Sequence, residues 1–192
     1  YETPLEETLG AFDDLIRSGK VLYIGFSEWN AEQIAAALKI QDQKGYYRFI
    51  SSQPQYSMLW RVIESAVVPL SEKEGIGQIV WSPIAQGVLT GKYQNGIPAD
   101  SRGASPHLGP FVANYLDARS KQIVTAVSTA ADGLGAAPLE IALSWVRDAP
   151  GISSAIIGAR TSAQLRGALR SNDLVLPDLV RSALNDISEA GD

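Results

Sequence analysis

The stretch Gln78-Ile79-Val80-Trp81-Ser82-Pro83-Ile84-Ala85-Gln86-Gly87-Val88-Leu89-Thr90-Gly91-Lys92-Tyr93 decides how the rest of the chain is read. Ile79-Val80-Trp81 is a short apolar run of the kind a strand buried on both faces shows. Pro83 has no N–H to give to a ladder, so the strand must stop near Ser82. Two glycines, two hydroxyls and a lysine follow at the carboxyl end of that strand, the end at which α/β folds hold ligands. The segment is not a nucleoside-triphosphate loop. Only three residues separate Gly87 from Gly91, and Tyr93 stands where a metal-binding Ser or Thr belongs. A loop closing over a differently placed anion stays open.

The surrounding chain fits one soluble domain. Its 192 residues are 45% hydrophobic and 19% charged, enough apolar material for a core. A net charge of −5 argues against sequence-independent nucleic-acid binding and against anionic membranes. No window approaches a membrane-spanning apolar run and no basic-then-apolar leader opens the chain, so cytoplasm is the expected location. Absence of cysteine excludes disulfides, a thiol nucleophile and cysteine metal sites. Because the chain opens at Tyr1 and its only methionine is Met58, a processed, trimmed or partial chain is expected.

Helical and strand patterns alternate along the sequence. Thr3-Pro4-Leu5-Glu6 signals a capped helix start, and Leu5, Leu9, Phe12 and Ile16 make its apolar stripe. Gly19 ends that helix, and Val21 to Ser27 reads as a buried strand. Asn30 caps a second helix with Gln33 three residues on, and Phe49 to Gln53 reads as the next strand. Val62 to Leu70 forms a third amphipathic helix running out near Gly75, just before the pivotal strand. Asn95 to Pro110, rich in Gly, Pro, Ser and Asp, reads as a long functional loop. Helices over roughly 114–134 and 138–148 follow, then a strand at Ser154–Gly158, a helix at Ser162–Arg170 and a last helix at Pro177–Ala190.

Three strand ends, Ser27, Gln53 and Ser82, lie 26 and 29 residues apart, the period of a βα unit. Strands alternating with helices imply a parallel sheet. No linker-like segment interrupts residues 1–192, so a single domain is expected. Four strands are too few to close a barrel of eight units and roughly 250 residues. The chain is either a small open sheet or half of a barrel.

Four motifs, in order, are similar to the aldo-keto reductases, within the branch that includes the potassium-channel beta subunits. They are Gly19 to Trp29 (Gly-Lys-Val-Leu-Tyr-Ile-Gly-Phe-Ser-Glu-Trp), Ser52 to Tyr56, Trp81 to Gly87 with Thr90 to Tyr93, and Ile156 to Thr161. The resemblance spans essentially the whole chain but only the second half of the family's (β/α)8 TIM barrel, strands 5–8 with their helices. It implies a protein that reduces small aldehydes or ketones with NADPH. Ser27 and Gln53 would hydrogen-bond the nicotinamide carboxamide, and Trp81 would stack on the ring. Ser82, Pro83, Ile84, Gln86 and Gly87 would line the pyrophosphate, with Lys92 and Arg102 supplying positive charge. Gly158, Arg160 and Gln164 would hold the adenosine 2′-phosphate end.

The residues support those roles independently. Polar side chains ending three successive buried strands are odd unless they face a polar ligand. Arg160 precedes a helix start, where N–H groups and the helix dipole favour an anion, and a guanidinium suits bidentate phosphate binding. Two departures stand out within the cofactor site. Glu28 replaces the Asn or Arg of many relatives, and Gly167-Ala168 replaces a Glu-Asn pair that reaches the adenine. The family's catalytic Asp, Tyr, Lys and His come from its first four strands, and no position here matches them. No catalytic residue is therefore assigned, and an isolated chain should turn over little or no substrate.

Other notable residues carry plainer readings. His107 reads as a surface or lid histidine, Trp145 as core, and Asp13-Asp14 as neighbours pointing apart rather than a dyad. Tyr46-Tyr47-Arg48 and Trp60-Arg61 fit core or rim packing at least as well as partner contacts. No His/Asp/Glu cluster has metal-ligand spacing. The alternative to the reductase is a non-catalytic nucleotide-binding or regulatory module. Either way, the N-terminal half of the barrel or a second copy is the expected partner.

Overall fold

The computed structural model of the chain describes residues 2–189. They fall into two compact units. One runs up to Pro54 and resumes over Ile63–Ile79; the other comprises Gln55–Val62 and the chain from Val80 onward.

In the first unit, α1 (Leu5–Arg17), β1 (Gly25–Phe26), α2 (Ala31–Lys44), β2 (Ser51–Ser52) and α3 (Val67–Glu74) precede β3 (Gly77–Val80), whose last residue belongs to the second unit. β1 pairs parallel with β2, Gly25 with Ser51, and β2 pairs parallel with β3, Ser51 with Gly77. The alternation of helices and parallel strands matches the sequence expectation. Asn30 and Gln33 form the anticipated reciprocal cap of α2. Gly45 and Gly75 close α2 and α3 in the left-handed conformation that side chains resist.

Several boundaries differ. α1 starts after Pro4, which stands outside the helix in an extended conformation, and Thr3 makes no cap. The expected strand from Val21 shrinks to two residues, with Leu22 and Tyr23 exposed at 79% and 70%. An apolar run becomes ladder only where a partner strand lies alongside, and β2 offers two residues. The third helix breaks at Ala66 (φ −143°) into a 3-10 turn, Val62–Ser65, and α3.

Aromatic packing organises this unit. Phe26 stacks on Trp29 at 5.0 Å, and Phe49 meets both edge-on at 5.1 and 5.6 Å. The same unit holds a polar knot built on the buried Asp13 and Gln41. Asp13, 3% exposed, pairs with Arg17 and accepts the Tyr47 N–H at 2.9 Å, while Gln41 Nε2 donates to the Tyr47 carbonyl at 2.9 Å. Burial pushes the Asp13 carboxyl up, but the Tyr47 N–H and the Arg17 guanidinium together outweigh it and hold it below the usual range. A pKa depressed by folding stabilises above the ordinary carboxylate pKa and loses that contribution as pH falls through the folded value. Asp13→Asn is therefore expected to lower the urea midpoint near neutral pH. The gap to wild type should close under acid, as pH falls below the ordinary carboxylate range. A gap that stays constant with pH would assign Asp13 to packing alone.

In the second unit, α4 (Gly109–Ala113), α5 (Ala118–Leu134), α6 (Pro138–Arg147), β4 (Ile152–Ala155), α7 (Ser162–Leu169) and α8 (Asp178–Ser188) follow one another. The loop expected at 95–110 contains a 3-10 turn at Arg102–Ala104 and runs into α4. α5 starts later than expected because Asp117 caps it, accepting from Ser120 N at 2.9 Å. β4 ends at Ala155, and Ile156-Ile157, expected within it, are 40% and 37% exposed. Ile156 N still donates to Val80 O at 2.8 Å. The expected end of the last helix, Ala190, lies outside the described residues.

α6 is the centre of this unit, buried continuously from Glu140 to Val146. Trp145, 1% exposed, stacks on Tyr56 at 5.4 Å and donates its indole N–H to Asn185 Oδ1 at 2.8 Å. Arg61 lies 5.4 Å over the same ring and donates to Asn185 O at 2.8 Å. Arg119 reaches Ser188 O and Glu189 O at 2.9 and 3.1 Å. The two arginines thus serve carbonyls that the end of α8 leaves without helical partners.

Candidate functional site

The predicted residues of the first unit meet directly. β1 ends at Phe26, whose carbonyl accepts the Gln53 N–H at 2.8 Å, and Ser27 Oγ donates to Gln53 O at 2.7 Å. Both polar residues are exposed just past their strands. Glu28 follows with φ at 60°, a backbone region most side chains avoid and one found often at functional sites.

In the second unit, Trp81 is anchored by a parallel bridge to Gln55 and by the Tyr56 N–H, 3.2 Å from its carbonyl. Beyond it the chain turns sharply. Ser82, Ala85 and Gln86 adopt φ of 56°, 47° and 58°, and Gly87 follows at 93°. Such strain costs about 1–3 kcal/mol per residue and persists only where surroundings impose it. Ser82 Oγ is one such restraint, accepting from Gln86 N at 3.2 Å and Gln86 Nε2 at 3.1 Å. Pro83 is buried and Ile84 half-buried beneath the turn.

Two predicted cations converge on this turn. A Cβ on Gly87 would stand 2.8 Å from Lys92 Nζ, so the missing side chain is what lets the ammonium lie on the backbone. Arg102 hydrogen-bonds Gln86 Oε1. Tyr93, in the place of a phosphate-loop hydroxyl, is instead core, and its hydroxyl accepts the Gly103 N–H at 3.1 Å.

The remaining predicted residues share the amino end of α7. Thr161 caps the helix, accepting from Gln164 N at 3.2 Å. Gln164 Oε1 in return accepts from Arg160 N and Thr161 N at 2.7 and 3.3 Å. The Arg160 guanidinium donates to Asp100 O at 3.1 Å, tying this end to the loop that carries Arg102. Gly158 is exposed, with nothing within 4 Å of where its Cβ would be.

The structure also shows what the sequence did not suggest. A cleft of about 530 Å³ opens beside Trp81, and Gln55, Trp60, Phe111 and Tyr115 are among the residues that line it. Gln55 Nε2 donates to the Tyr115 hydroxyl across 60 residues of chain. Phe111 lies between the loop expected over 95–110 and the helix expected from about 114, and no sequence pattern there pointed to a cleft. His107 is exposed, and among the described residues no acidic–histidine group could hold a metal ion. Among the described residues, no helix is long and apolar enough to cross a membrane.

Comparison with known proteins adds the decisive observation, a match of residues 1–189 to the Aldo/keto reductase family. The chain belongs to the aldo/keto reductase family. Its α/β architecture is that of strands five to eight of the family's (β/α)8 barrel. This aldo/keto reductase chain is 36% identical over 189 residues to a probable voltage-gated potassium channel subunit beta of Arabidopsis thaliana, covering 97% of the chain and 57% of that protein. A protein of the same description from Oryza sativa subsp. japonica is 35% identical over 90% of the chain and 53% of its own length. A putative channel subunit beta of Schizosaccharomyces pombe is 36% identical over 84% and 48%. The chain spans about half the length of these relatives. The family is one of oxidoreductases that use NAD(P)H on small carbonyl compounds.

Proposed function

We propose that this chain is the cofactor-binding half of an NADPH-dependent oxidoreductase that reduces aldehydes or ketones to alcohols. The observation that carries the proposal is the strained Ser82–Gly87 turn under Lys92 and Arg102, with Arg160 at a helix start tied to the same loop. Three cations gathered on one turn and its loop make a charge set suited to phosphates. A bound nicotinamide would supply the hydride. Ser27 and Gln53 would present hydroxyl and amide groups to its carboxamide, and Trp81 would cover one face of the ring. Ser82, Pro83, Ile84, Gln86 and Gly87 would form the floor under the diphosphate; Lys92 and Arg102 would neutralise it. Gly158, Arg160 and Gln164 would set the preference for a 2′-phosphate.

No residue here is assigned as the proton donor; in this reading it comes from a segment completing the barrel, an N-terminal half or a second copy. A cytoplasmic location fits the chain's charge and cofactor. The names of the relatives, channel subunits, favour a second reading, a regulatory module that acts through a protein partner.

Titration with NADPH and NADH, followed by nicotinamide fluorescence, separates the roles. Arg160→Ala is expected to weaken NADPH about tenfold to a hundredfold, the range of charge-assisted hydrogen bonds, while NADH changes little. Equal weakening of both would remove the 2′-phosphate role. Absence of binding to either by the wild type would remove the proposal.

A further inference from the structure

The turn that leads out of Tyr93 carries a reactive pair outside the proposed cofactor contacts. Asn95 and Gly96 are both exposed there. Among the described residues, no hydrogen bond holds the Asn95 side chain. Gly96 has a φ of 114°, and nothing lies within 4 Å of where its Cβ would be. Its N–H donates to Tyr93 O at 3.4 Å, longer than the usual N–H···O range of about 2.7–3.2 Å. The nitrogen is weakly held, and the Asn95 carboxamide beside it is free to turn back onto it.

The chain's other asparagines are each shielded. A residue with a Cβ follows every one of them: Ala31, Tyr115, Asp173 and Asp186. That Cβ crowds the ring that a carboxamide must close onto the next nitrogen. Asn30 Oδ1 is occupied as the cap of α2, accepting from Gln33 N at 2.9 Å. Asn185 lies within α8, and its Oδ1 accepts from Trp145 Nε1 at 2.8 Å. The nitrogens after Asn114 and Asn172 donate to Val112 O and Arg170 O at 3.0 and 3.2 Å. Among the described residues, Asn95 alone combines a following glycine, an unheld side chain and a loosely bonded neighbouring nitrogen.

We propose that Asn95 is a site of spontaneous deamidation, converted through a cyclic imide to isoaspartate and aspartate. The Gly96 nitrogen gives its proton to solvent base and bonds to Asn95 Cγ. The bond from Cγ to the side-chain nitrogen breaks, and ammonia leaves after taking up a proton from solvent. Water then adds to either imide carbonyl and opens the ring. Water is consumed and ammonia released, with no change of oxidation state. Opening at the backbone carbonyl leaves the main chain running through Cγ, longer by a methylene. Either product adds a carboxylate to the segment joining Lys92 to Arg102, on a chain whose net charge is already −5.

The test is peptide mapping of the full-length protein held in warm, mildly alkaline buffer, with isoaspartate counted by enzymatic methylation. Conversion at Asn95 is expected to exceed that at every other asparagine by about tenfold or more, the factor given by a barrier lower by about 1.4 kcal/mol. The rate should climb with pH, because the attacking nitrogen must lose its proton. The same mapping in urea removes the fold. Asn95 should react there at nearly its folded rate, while the other asparagines speed up. Asn95→Gln, which must close a larger ring, should not develop the acidic species that the wild type accumulates, and Asn95→Asp should comigrate with it. A folded protein in which Asn95 converts no faster than the others would overturn the inference. So would an acidic species that persists in Asn95→Gln. An Asn95 rate that rises severalfold in urea would also overturn it, by showing that the hydrogen bond to Tyr93 O locks the nitrogen.

Discussion

Gly25→Val is expected to unfold the sheet of the first unit, with a loss of about 3 kcal/mol or more, at the upper end for over-packing. The position needs no unusual φ, so conformational freedom is not the reason. A Cβ there would meet Ser51 Oγ and would stand 2.7 Å from the Ser51 carbonyl oxygen. A hydroxyl can rotate away; a backbone carbonyl in a ladder cannot. Gly25 is paired with Ser51, so relief requires β1 to leave β2. That same movement would part Ser27 from Gln53, whose 2.7 Å hydrogen bond lies just beyond the pair. Urea unfolding with unchanged slope and a lowered midpoint checks the claim. Combining Gly25→Val with Ser51→Gly should recover only part of the loss, because the carbonyl remains. Full recovery would place the whole clash on the serine side chain.

Trp145→Ala is expected to cost the second unit about 3–5 kcal/mol, the usual cost of truncating a large buried aromatic. The side chain is 1% exposed and joins three elements: the segment of Tyr56 and Arg61, α6 itself, and α8 through Asn185. Truncation removes the stack on Tyr56, the surface beneath Arg61 and the donor to Asn185 Oδ1. The last loss leaves the half-buried Asn185 Oδ1 without its donor. Trp145→Phe keeps a ring but not the indole N–H, and should cost clearly less. Thermal unfolding of the two variants orders them. Equal losses would mean that the hydrogen bond to Asn185 dominates and the packing does not.

How far these features could be read from sequence depends on the range over which each is encoded. The cap of α2 by Asn30 and Gln33 lies within one helical turn, and both residues are sufficient to write it. The left-handed closures at Gly75 and Gly135 are equally local. Strand ends were less legible. Leu22-Tyr23 and Ile156-Ile157 have the composition of a ladder, but pairing is decided by distant chain, and they stand exposed. The Asp13–Tyr47 contact bridges 34 residues and the Gln55–Tyr115 contact 60, with no periodic pattern linking either pair. The resemblance implied Lys92 and Arg102 as charges beside Gln86 and Gly87, and all four lie within one loop and its flank.

The side chain of Gln164 gives the start of α7 a thermodynamic character of its own. Its amide oxygen already occupies the N–H groups of Arg160 and Thr161. An anion arriving there does not fill a bare site but exchanges places with an uncharged tenant. Its net gain is then the difference between charge-assisted bonds and neutral ones, which are roughly half as strong. Exchange of this kind moderates affinity without weakening discrimination. On the function proposed above, weakly charged competitors would gain too little to evict the amide, while a phosphate dianion would gain enough. The empty helix end meanwhile stays capped, so no folding step has to precede each binding event.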